Sequence, residues 1–215
     1  MNVDLSLLDR WQTGWSLSRG VPLPTHDGGG LVVEVGWPDQ LRRHVFVEAG
    51  RELRGCAAQI DAPFIYLKAA VDPEQMRCAL PAAWKIESPG YLMARPAALA
   101  TPVAPPAGYS ASVHLEHGAH VIRFADEPGQ VAASGRVVLN GGTAVFDRIE
   151  TLEPHRRKGL GTALMAALDA LAEQAGVSER LLVATEAGRP LYLSMGWQVL
   201  APYSTAVLPG QPLHN

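Results

Sequence analysis

One seven-residue stretch, Arg156-Arg157-Lys158-Gly159-Leu160-Gly161-Thr162, concentrates three cations and two glycines. It lies between an apolar run that ends at Leu152 and a helical pattern that starts at Gly159. A helix N-terminus presents unpaired backbone N–H groups and a partial positive charge. Gly159 and Gly161 carry no Cβ, so a ligand can approach that backbone closely. The chemistry that suits this combination is the binding of a phosphate or pyrophosphate. Two phosphate motifs are excluded. A Walker loop needs Gly-Lys-Ser/Thr after a four-residue spacer, but Gly161 is followed by Thr162-Ala163. The dinucleotide fingerprint needs a third glycine where Leu164 stands, in a parallel βαβ setting, and here a hairpin precedes the segment.

The elements that must position this turn follow from pattern. Residues 110–115 and 120–124 read as strands flanking a two-residue turn at His117-Gly118. Residues 130–139 and 143–152 flank Asn140-Gly141-Gly142, where Asn-Gly signals a type I′ hairpin. A helix runs from Gly159 to about Ala175, with Leu160, Leu164, Ala167, Leu168 and Leu171 on one face. A strand at 181–184, a short helix at 188–195 closed by Gly196, and strands at 197–200 and 203–208 complete this half. Upstream, 31–35, 44–48, 64–68 and 91–93 read as strands. Residues 51–60 read as a helix, and Asp72-Pro73-Glu74 opens another with a carboxylate cap and proline at the first helical position. Alanine and proline dominate 96–108, which reads as a linker. The expected organisation is an N-terminal α/β region over 1–95, the linker, and a ligand-binding domain over 109–215.

The segment Arg156-x-x-Gly159-x-Gly161 resembles the Arg/Gln-x-x-Gly-x-Gly/Ala signature of the GCN5-related N-acetyltransferases. Tyr192-Leu193-Ser194-Met195-Gly196-Trp197 resembles the Tyr-x-x-x-Gly-Phe element of the same family. The resemblance covers about 110–208 and includes the order of elements. It implies an α/β fold with a mixed, mostly antiparallel central sheet flanked by helices, the acyl-CoA N-acyltransferase fold. It implies acetyl-CoA as co-substrate: backbone at Thr151 and Leu152 along the pantetheine arm, and Arg156, Arg157, Lys158, Gly159, Leu160, Gly161 and Thr162 at the pyrophosphate. A bulge in the strand before the turn would splay it from the next strand and open a slot for that arm.

The activity implied is transfer of an acetyl group to a primary amine of a small molecule, by direct attack through a tetrahedral intermediate. A protein amine as acceptor, or a non-catalytic acyl-CoA sensor, are the alternatives. At its place in the motif, Tyr192 is the acid for the departing thiolate. Asp147, nine residues before Arg156, is the first choice of base. Glu150 is the alternative, at the opposite strand parity unless a bulge intervenes. Two departures from the family stand out. Thr185 occupies a position where the family often has Asn. His117-Gly118 joins strands that the family usually separates by two helices, so the acceptor wall must come from the N-terminal half, which carries Trp11, Trp15, Trp37 and Trp84. That half reads as a possible degenerate unit of the same kind.

Other groups of polar residues carry less. His114, His117 and His120 are spaced for a metal, but in the expected hairpin Leu115 pairs with His120 and His114 with Val121. His114 and His120 then face opposite ways, and no metal site is expected. His26-Asp27 reads as turn chemistry, Ser134 is not in a nucleophile elbow, and Arg42-Arg43-His44 reads as a solvated basic face. The net charge of -3 offers no field toward nucleic acid or an anionic membrane. Cys56 and Cys78 make no disulfide framework. No signal-peptide pattern or membrane-length apolar run is seen, so a cytoplasmic location is expected. A homodimer stays open.

Overall fold

The computed structural model describes residues 3–96 and 104–210. The first element, helix α1 (Leu5–Arg19), was not foreseen. Its signals are nonetheless local. The Asp4 carboxylate accepts from Leu7 N at 2.8 Å as N-cap. Leu7, Leu8, Trp11 and Trp15 recur on one buried face. Gly20, in the left-handed region at φ 65°, stops the helix. Strands β1 (Thr25–Asp27), β2 (Gly30–Trp37) and β3 (Gln40–Phe46), helix α2 (Arg51–Ala57), strand β4 (Ile65–Ala69), helix α3 (Pro73–Ala79) and strands β5 (Lys85–Ile86) and β6 (Gly90–Arg95) follow. The expected cap at Asp72 is a full capping box, with Gln75 answering the Asp72 N–H.

Downstream come β7 (Tyr109–Glu116), β8 (Ala119–Asp126), β9 (Val131–Asn140) and β10 (Thr143–Thr151). A 3-10 turn (Glu153–His155), α4 (Leu160–Gln174), β11 (Glu179–Thr185), α5 (Arg189–Ser194) and β12 (Gln198–Val207) complete the chain. The register of β7 and β8 is the expected one, with Leu115 opposite His120 and His114 opposite Val121. Among the described residues no cluster of histidines, cysteines or carboxylates could hold a metal. The β9–β10 turn differs from expectation. Asn140 ends its strand opposite Thr143, so Gly141-Gly142 form the turn, and of the two only Gly141 has positive φ. The two strands expected at 197–200 and 203–208 are one strand, β12, with an irregularity between Val199 and Ala201.

The strands form one mixed, mostly antiparallel sheet in the order β1-β2-β3-β4-β12-β6-β11-β10-β9-β8-β7, with β5 also on β12. Among the described residues only β3–β4 and β10–β11 are parallel, each joined through a helix. Side-chain alternation gives the sheet two buried faces. One carries Ala144, Phe146, Leu182 and Ala184 against Leu160, Leu164, Met165 and Leu168 of α4. Phe46, Leu67 and Ala69 continue a buried layer with Leu53 of α2 and Met76 of α3. The opposite parity, Val45, Val145, Leu181 and Leu92, packs on Leu7, Leu8, Trp11 and Trp15 of α1. Helix α1 touches both β2–β3 and β9–β10. Those pairs lie far apart in the sheet order, and adjacent strands are about 4.8 Å apart. A 15-residue helix is only about 22 Å long, so the sheet must curl around α1.

Candidate active site

Strand β10 is where the fold opens. Its parallel pairing with β11 covers only Thr143, Ala144 and Val145. Its ladder with β9 is interrupted between Asp147, opposite Arg136, and Glu150, opposite Ser134. Arg148, inside this bulge, takes φ 52°. The extra residue has a consequence for the two candidate carboxylates. Arg136 and Ser134 share a face of β9, so Asp147 and Glu150 share a face too, although their sequence parity is opposite.

Asp147 is buried on the α1 face. It accepts from Arg19 Nε and Nη2, both at 2.8 Å, and from Ser18 Oγ at 2.6 Å. Burial alone would raise its pKa. The Arg19 and Ser18 hydrogen bonds and the Arg148 N–H outweigh that and hold it below the ordinary carboxylate value. Glu150 is exposed, in a separate hollow beside Arg123, Arg136 and Arg148.

On the far face, the chain after β10 turns at Arg156 in extended backbone, Arg157 at φ 63° and Gly159 at φ 80°. Gly159 is the N-cap of α4 and, having no side chain, leaves the first-turn N–H groups uncapped. Its glycine identity answers to φ, whereas a Cβ on Gly161 would lie 3.0 Å from Leu191 of α5. Arg156 Nε donates back to Thr151 O at 3.2 Å, bracing the turn. Arg157, Lys158 and Thr162 are exposed, as is Leu152 before the turn.

Tyr192 sits on α5, anchored by the helix end: Trp197 N donates to Tyr192 O at 3.1 Å across Gly196. Its ring packs edge-on near Trp197. Burial first, then the Asp147 charge, push its pKa to about 12.

A cleft of about 420 Å³ lies on the α1 face, lined across neighbouring strands from β3 to β10. Trp11, Trp15 and Arg19 of α1 form one wall. Arg43, Lys68, Tyr203 and Asp147 come from the sheet, and Glu186 from the turn after β11. Of the four N-terminal tryptophans, Trp11 and Trp15 line this cleft. Trp37 backs Trp15 at 5.9 Å between ring centroids, and Trp84 is in the core beneath α3. Arg42-Arg43-His44 is not a solvated face: Arg43 and His44 are both buried. Strand alternation sends them to opposite faces, and both faces are covered. Arg19, Arg43, Lys68, Tyr203 and Glu186, which line this cleft, were not singled out in the sequence.

This architecture, a large, mostly antiparallel sheet flanked by helices, is the acyl-CoA N-acyltransferase fold. The chain belongs to the acetyltransferase (GNAT) family, whose model matches residues 81–197, more than half of it. The match begins upstream of the Ala/Pro-rich segment and takes in β6. A GCN5-related N-acetyltransferase from Kribbella flavida superposes with a TM-score of 0.67 at 17% identity, covering 99% of this chain and 98% of that one. One from Sphaerobacter thermophilus has a TM-score of 0.58 at 14% identity, covering 86% and 79%. A tandem GNAT protein from the clavulanic acid biosynthesis pathway has a TM-score of 0.56 at 18% identity, covering 92% and 87%. No curated protein matches the sequence. Among the described residues no helix is long and apolar enough to cross a membrane.

Proposed function

We propose that the chain transfers the acetyl group of acetyl-CoA to a primary amine of a small molecule, bound in the cleft under α1. The observation that carries this reading is the opening of β10. It combines a bulge, a pairing with β11 that ends at Val145, and an uncapped helix N-terminus beside Arg157 and Lys158. A pyrophosphate fits that N-terminus, and a pantetheine arm fits beside Thr151 and Leu152, where β10 has no partner on its β11 side. The thioester then reaches the bulge, between Tyr192 on one face and Asp147 on the other.

The neutral amine nitrogen attacks the thioester carbonyl, the C–S bond breaks, and the amine proton leaves to water. Asp147 has both oxygens engaged and a lowered pKa, so it is a poor base. Its negative charge holds and orients the amine and stabilises the positive charge that develops on nitrogen. Glu150, on the same face of β10, has no ion pair among the described residues and is the alternative proton acceptor. Tyr192 stays protonated and donates to the departing sulfur. With the thiol near 8.5, full transfer from a phenol at about 12 is uphill, so hydrogen bonding to the developing thiolate is its main contribution. The N-terminal half supplies the acceptor wall, and we read it as a rearranged unit of the same kind. Its order β1-β2-β3, α2, β4, α3 repeats the order β8-β9-β10, α4, β11, α5.

Calorimetry with CoA and steady-state kinetics test this together. Tyr192→Phe should lower kcat about 10- to 100-fold, the range for a hydrogen bond to a charged group, with CoA affinity nearly kept. Replacing Arg157 and Lys158 by alanine should weaken CoA and its salt-dependent binding. ATP binding better than CoA would refute the assignment of the turn.

A further inference from the structure

The cleft under α1 gathers three basic side chains, Arg19, Arg43 and Lys68, and burial, then Arg43 and Arg19, hold the Lys68 pKa well below its ordinary value. Arg19 is matched by Asp147. Arg43, 6% exposed, lies with its guanidinium 3.3 Å over the Trp15 ring and donates to the neutral Gln40 Oε1 at 2.9 Å. Its Nε is buried without a partner. Lys68 lies on the neighbouring strand and donates to the Thr205 hydroxyl at 2.7 Å. Among the described residues neither has a carboxylate partner. Glu87, which faces Lys68 electrostatically, pairs with Lys85 at 3.0 Å. Glu186 lines the cleft but is bound by Arg189 and Tyr91.

Two further buried polar atoms nearby, a phenol oxygen that can donate or accept and an indole N–H that can only donate, also lack partners. Tyr203 Oη and Trp11 Nε1 are buried, near one another, without closing to hydrogen-bond geometry. Guanidinium, ammonium and indole groups have no lone pair to offer one another. Burying like charges that face one cavity is costly unless an acceptor arrives. No structural task requires it, since stacking on Trp15 and packing beside Thr205 need no second charge.

We propose that Arg43 and Lys68 form an anion subsite, and that the acceptor is an amine that also carries a carboxylate or phosphate. The amine lies toward Asp147 on β10 and the anionic group toward β3 and β4. The word acceptor rests on the acetyl-transfer reading; the anion subsite does not.

The first test leaves acetyl-CoA out. The full chain is titrated with glutarate and, separately, with inorganic phosphate, reading tryptophan fluorescence, since Trp11 and Trp15 line the cleft. Saturable binding of at least one is expected, weakened about tenfold in Arg43→Met and in Lys68→Met, the loss of one charge-assisted contact. The arm that saturates says which oxyanion is preferred. If Arg43→Met does not fold, Lys68→Met, whose side chain is only half-buried, carries the test. No saturable response to either anion, or an unchanged response in the folded variants, overturns the subsite. The second test compares kcat/KM for γ-aminobutyrate against butylamine, and phosphoethanolamine against ethanolamine. The anionic member of one pair should lead by about tenfold or more, mainly through KM, and that ratio should fall toward one in Lys68→Met. A ratio of one in the unmodified protein overturns the claim about the acceptor. Anion binding with no amine acetylated leaves the subsite standing and removes the acetyl-transfer reading instead.

Discussion

Arg19 and Arg10 of α1 grip the C-terminal half at Asp147 and Glu179. Both carboxyls titrate below their ordinary values, Asp147 through Arg19 and Ser18 against burial, and Glu179 through Arg10 first. A depressed folded-state pKa gives stability that is present above the unfolded pKa and lost as pH falls through the folded one. The thermal midpoint should therefore be flat above about pH 5 and fall steeply below about pH 4, and Arg19→Met should blunt that fall. A midpoint independent of pH over this range in the unmodified protein would show that these pairs hold nothing. At this scale the turn and its tyrosine were legible in the sequence and the lining of the cleft was not. Tyr192 and the turn from Arg156 to Thr162 are local patterns. Arg19, Arg43 and Lys68 come from α1, β3 and β4, and only the curl of the sheet brings them to one cavity.

Helix α1 and the β10 bulge set the geometry between those residues. Gly14, in the middle of α1, faces β10 so closely that a Cβ there would lie 2.3 Å from Val145 Cγ2. Gly14→Ala gains about 1 kcal/mol of helix propensity but must push the helix from the sheet, at about 1–3 kcal/mol for overpacking. The wall of the cleft moves with it. A melting point lowered by several degrees is expected, at about 2–4 °C per kcal/mol for a chain of this size, with a larger loss in kcat/KM for the amine than for acetyl-CoA. Equal losses for both substrates would mean that α1 does not shape the acceptor side. The helix itself could have been found from Asp4, the spacing of Leu7, Leu8, Trp11 and Trp15, and Gly20. Its mean hydropathy is low and it follows no hairpin, so nothing pointed to it from the motif. The bulge could only be anticipated conditionally, because an extra residue in a ladder leaves no mark in alternation until the partner strand is known.

Across the whole molecule, the two halves exchange strands. Strand β6, from before the Ala/Pro-rich segment, lies between β11 and β12. Strand β12, from the other end of the chain, lies between β6 and β4 and also pairs β5. Neither half closes its sheet alone, because each would expose unpaired edges and the apolar faces they carry. Residues 104–215 expressed alone should be insoluble or lack a cooperative melt, and co-expression with residues 1–96 should restore both. A folded, CoA-binding C-terminal fragment would contradict this. The same exchange places Arg43 and Lys68 in one cleft with Asp147, so the cleft belongs to the whole chain. The most direct test of acetyl transfer is thiol release from acetyl-CoA across a panel of amines, with the product identified by mass. One class of amine should be acetylated on nitrogen in step with thiol release, at a rate cut sharply by Tyr192→Phe. Tight CoA binding with no amine acetylated, or turnover untouched by Tyr192→Phe, would contradict it.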